Sequence, residues 1–66
     1  MKIKANGKVY EISAPQTVAE FISALGANPQ RCVVELNGHA LRFEAFKDAV
    51  LKDGDALEIM SIVAGG

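Results

Sequence analysis

The sequence predicts an α+β domain in which one main helix packs on one face of a mixed sheet. Three observations predict it: period-2 alternation in the runs at both ends, two Asn-Gly pairs each set between strand-like segments, and a single amphipathic helical stretch with its own start and stop signals. Strands flanking one such helix make two layers over a shared core. The order reads ββαββ followed by a tail.

Met1, Ile3 and Ala5 alternate with Lys2, Lys4 and Asn6, the pattern of a strand with one buried face. Asn6-Gly7 then turns the chain, because both central positions of a tight hairpin loop need positive φ. The second strand, Lys8 to Ser13, carries Tyr10 and Ile12 on one face. In Pro15-Gln16-Thr17-Val18-Ala19-Glu20, Thr17 and Glu20 have the spacing of a capping box, so a helix starts here. Val18, Phe21, Ile22 and Leu25 form its apolar stripe, Gly26 ends it after about two turns, and Pro29 prevents its resumption.

A third strand, Cys32 to Leu36, leads through Asn37-Gly38 into a short fourth around Ala40 to Arg42. The stretch from Phe43 to Lys52 is less regular, with Phe46, Val50 and Leu51 expected to anchor it. Asp53-Gly54-Asp55 then turns the chain into the last strand, Leu57 to Val63.

Sixty-six residues make one domain, read as 1–66, whose core is too thin to enclose an active site. Half the residues are hydrophobic and 23% are charged, the balance of an ordinary folded domain. Seven basic residues stand against eight acidic ones and the cations are scattered, which argues against nucleic acid or an anionic membrane as partner. No apolar run approaches the ~20 residues of a membrane span, and the start does not read as a signal peptide, so the cytoplasm is the expected location. The single cysteine, Cys32, rules out an internal disulfide and suits a reducing compartment.

No catalytic constellation is legible. A metal site needs several converging ligands, and nucleophilic catalysis needs a nucleophile beside a base. Cys32 is expected to face the core with Val34 and Leu36, and His39 to be solvated after its turn. Alternation in the last strand puts Leu57 and Ile59 inward and Met60 and Ile62 outward, on the same side as Val33. Val33, Met60 and Ile62 thus form a candidate partner-binding patch that leads toward the tail.

The tail closes the sequence as Ala64-Gly65-Gly66. Glycine has no side chain, so Gly65 and Gly66 can lie extended in a narrow channel and leave the terminal carboxyl carbon uncrowded. Simple fraying is the competing expectation. Residues 63–66 are read as an extended, flexible tail, with Gly66 as the reacting residue and Ala64 and Gly65 threading into partner sites.

Taken together, Asn6-Gly7-Lys8, Thr17-Val18-Ala19, Val34-Glu35-Leu36-Asn37-Gly38, Leu51-Lys52-Asp53-Gly54-Asp55 before Glu58-Ile59, and Gly65-Gly66 resemble the ThiS family. These are sulfur-carrier proteins of thiamine biosynthesis with the ubiquitin-like β-grasp fold. The pattern departs at Arg42-Phe43, where such carriers often show Pro-Arg. The resemblance implies that the first and last strands lie parallel at the sheet centre. It also implies a protein that is a co-substrate and not an enzyme, binding no cofactor itself. An E1-like adenylyltransferase using ATP and magnesium would activate Gly66. A persulfide donor such as a cysteine desulfurase would supply sulfur, and the resulting thiocarboxylate would serve thiazole synthase. Three other readings stay open: the small subunit of molybdopterin synthase, whose members usually run longer; a ubiquitin-like modifier joined to lysines through Gly66; and an interaction module with an unreactive tail.

Overall fold

The computed structural model describes residues 1–62. Strands β1 (Lys2–Ala5) and β2 (Lys8–Glu11) form the first hairpin, and helix α1 (Val18–Ala24) follows. Then come β3 (Cys32–Leu36), β4 (His39–Leu41) and β5 (Ala56–Ser61). The five strands make one sheet in the order β2-β1-β5-β3-β4, with β1 and β5 parallel and every other pair antiparallel. The short β4, expected around Ala40 to Arg42, is a full member of the sheet, so the order is ββαβββ and the ββαββ reading is one strand short.

Both Asn-Gly pairs adopt the conformation their chemistry favours: φ is 50° and 82° at Asn6-Gly7, and 52° and 84° at Asn37-Gly38. The capping box closes as expected, with Glu20 N–H donating to Thr17 Oγ1 at 3.1 Å and Thr17 N–H donating to Glu20 Oε1 at 2.8 Å. Val18, Phe21 and Ile22 of α1 meet Ile3, Val34 and Leu57 of the sheet in the core. The Tyr10 ring stands edge-on to Phe21 at 5.5 Å and ties the outer strand β2 to the helix.

Leu25 departs from the expected stripe and is exposed. The helix ends at Ala24, leaving Leu25 as its C-cap beyond the reach of the 3.6-residue period. Pro29 stops the α-helix but opens a single 3₁₀ turn, Pro29–Arg31, at whose first position its missing N–H is not needed. In the irregular stretch, Phe46 and Leu51 are buried anchors, whereas Val50 is 51% exposed. Val50 faces Thr17 in an isolated bridge, and the alternation that buries Leu51 turns Val50 outward.

The two turn asparagines have a second task. The Asn6 side chain receives the Ile59 N–H at 2.7 Å and donates Nδ2 to the Ile59 carbonyl at 3.0 Å, continuing the β1 ladder along β5 with an amide from a side chain. From the other side, Asn37 Oδ1 accepts from Ala56 N–H at 2.9 Å, and its Nδ2 donates to Asp55 Oδ1 at 3.0 Å. Asn6→Gly keeps the turn's positive φ but removes both side-chain bonds to β5. We expect a loss of about 1–2 kcal/mol in a urea titration, and an unchanged midpoint would show that these bonds contribute nothing.

Candidate functional site

Alternation along β3 and β5 divides their side chains between the helix-covered face and an open one. On the open face Val33 and Met60 stand directly opposite each other across the two strands. Val33 is 43% exposed and Met60 57%, while Ile62, just past the end of β5, is 56% exposed. The Ile62 N–H donates to the Arg31 carbonyl at 2.6 Å, so the chain is held against the 3₁₀ turn up to the last described residue. Val33, Met60 and Ile62 therefore share one side and run toward residue 63. Residues 63–66, the expected tail with Ala64, Gly65 and Gly66 and the expected strand end Val63, lie outside the described residues.

The remaining chemically capable side chains are placed as their positions suggest. Cys32 is buried, its Sγ donating to the Asn28 carbonyl at 3.3 Å, with Ser61 Oγ at 4.0 Å. His39 is exposed at the start of β4. Among the described residues, no three of His, Cys, Asp and Glu converge as metal ligands, and no helix is long and apolar enough to cross a membrane.

Two features escaped the sequence. On the helix side, an open cleft of about 440 Å³ lies among Ala19, Pro29, Phe43, Phe46 and Lys47. Its exposed wall is Phe43, half of the Arg42-Phe43 pair, whose ring stands edge-on to Phe46 at 5.4 Å. On the open face, the register that opposes Val33 and Met60 also sets Glu35 directly opposite Glu58. Neither could be found by alternation, which assigns faces but not cross-strand partners.

The chain matches the ThiS family over residues 3–66. It belongs to that family. A solved ThiS thiamine biosynthesis protein from Geobacter metallireducens superposes with a TM-score of 0.82 at 39% identity, covering 100% of both chains. The ycf40 protein of Pyropia yezoensis, itself without an assigned function, is 35% identical over 66 residues, 93% of its length. A thiazole synthase of Paramagnetospirillum magneticum is 32% identical over the same 66 residues, and the chain spans only 20% of that protein. The ThiS match accounts for the parallel pairing of β1 and β5, a long-range relation implied by the family resemblance. The departure at Arg42-Phe43 lies in the 3₁₀ turn Phe43–Ala45 and its N-cap.

Proposed function

We propose that this ThiS-family protein is the sulfur carrier for thiazole formation in thiamine biosynthesis, acting in the cytoplasm as a co-substrate and not as an enzyme. The reading is carried by the family match, which runs through to Gly66. An α-carboxyl with a reference pKa of about 3.5 is ionised at neutral pH and is a poor electrophile, so Gly66 needs activation. An E1-like adenylyltransferase, using ATP and magnesium, would join the Gly66 carboxylate to AMP and release pyrophosphate. A persulfide from a donor such as a cysteine desulfurase then displaces AMP. Cleavage of the resulting S–S bond by a thiol leaves the thiocarboxylate.

Thiazole synthase would take the sulfur, and hydrolysis would return Gly66 to its carboxylate. That partnership is supported by the P. magneticum thiazole synthase, in which the matching segment is part of the same chain. On this reading the body is a handle: Val33, Met60 and Ile62 dock the partner while Ala64 and Gly65 thread Gly66 into its site. Intact-mass measurement on protein from cells grown without thiamine tests the reading. A form with one oxygen exchanged for sulfur is expected, and covalent adducts to other proteins in its place would turn the assignment toward a modifier.

A further inference from the structure

Two glutamates face each other on the open side of the sheet. Glu35 of β3 and Glu58 of β5 are paired in register, and both are exposed. Side chains directly opposite on neighbouring strands have Cβ atoms about 4.5–5.5 Å apart, and like charges there oppose folding. Among the described residues neither carboxylate has a Lys, Arg or His nitrogen within 4.0 Å; the one ion pair found joins the Met1 amino group to Glu11. The next outward pair along the same two strands is Val33 with Met60. The face thus sets two negative charges, neither in an ion pair among the described residues, immediately beside an apolar patch, with Lys4 of β1 one register step from Glu58.

From this juxtaposition we infer that the open face receives a protein partner presenting an arginine or lysine beside an apolar side chain, the cation seating between Glu35 and Glu58 and the apolar group on Val33 and Met60. A guanidinium is the best fit, since its planar fork can donate to both carboxylates. The apolar strip supplies buried area but discriminates poorly between partners. The acid pair adds direction, excludes acidic surfaces and speeds encounter with basic ones. The inference rests on the carrier reading above and names the chemistry by which the adenylating enzyme would recognise this surface.

The test compares the wild type with the double variant Glu35→Gln, Glu58→Gln and with Met60→Asp. Affinity for the adenylyltransferase is measured by calorimetry at low and high salt, alongside melting temperatures and sedimentation of the carrier alone. The double variant is expected to bind about tenfold more weakly at low salt and to lose most of its salt dependence. It should melt no lower than the wild type, because a repulsion has been removed. Met60→Asp should weaken binding at both salt concentrations. Equal affinity and equal salt dependence in the double variant overturn the acid-pair role while leaving the carrier reading intact. A wild type bound by neither the adenylyltransferase nor thiazole synthase overturns both. A carrier dimer broken by the double variant would assign the face to a second copy of this chain and overturn the inference.

Discussion

A carrier shortened by Gly65 and Gly66 is expected to keep its melting temperature and to lose its sulfur-loaded form. The body should be indifferent to the change: the sheet's last described hydrogen bond is that from Ile62 N–H to Arg31, three residues before Gly65. The chemistry should not be indifferent. On the carrier reading, truncation leaves a carboxylate on Ala64, displaced by two residues, about 7 Å of extended chain, from the position an activating site would receive. Misplacing a reacting group by even 1 Å can cost about a hundredfold in rate, so loading should fall below detection by intact mass. If the shortened protein still acquires sulfur, the reacting group is not the carboxylate of Gly66.

Phe46→Ala is expected to unfold most of the molecules at room temperature or bring them close to it. Phe46 is 2% exposed and lies outside every strand and helix, yet it is among the largest fully buried side chains of the core. Removing a buried phenylalanine ring costs about 3–5 kcal/mol. A domain of 66 residues has a total stability of only about 3–10 kcal/mol. Val50→Ala, four residues on at a 51% exposed position, should change stability by about 0.5 kcal/mol or less. Circular dichroism with urea titration of the two variants checks both numbers, and similar midpoints would mean that the irregular stretch does not anchor the core as its burial indicates.

The contrast between these two residues shows where sequence reading stops. Phe46, Val50 and Leu51 are all apolar in one irregular stretch, and nothing local separates them. Only the bridge to Thr17, more than thirty positions earlier, decides that Val50 turns outward. Features governed by neighbouring residues were legible: the Asn-Gly turns, the Thr17–Glu20 box and the stop at Gly26 each depend on a few consecutive residues. The second role of Asn6 was not, because Ile59 lies 53 positions away in sequence. The candidate site divides in the same way. Strand alternation exposes Val33, Met60 and Ile62 on one side, but the pairing of Glu35 with Glu58 is a matter of register, which alternation does not supply.

The central position of β5 has a mechanical consequence. On the carrier reading, a tail drawn into an enzyme's channel would transmit tension along the strand that carries it, and β5 is gripped on one flank by β1 and on the other by β3. Hydrogen bonds between strands run across such a pull, so they share the load in shear instead of opening one at a time from a free edge. The Asn6 amide adds two further rungs near the end where tension enters. A terminal group mounted on an edge strand could be peeled from its sheet by the enzyme that grips it; mounted here, it can be pulled while the body holds its shape.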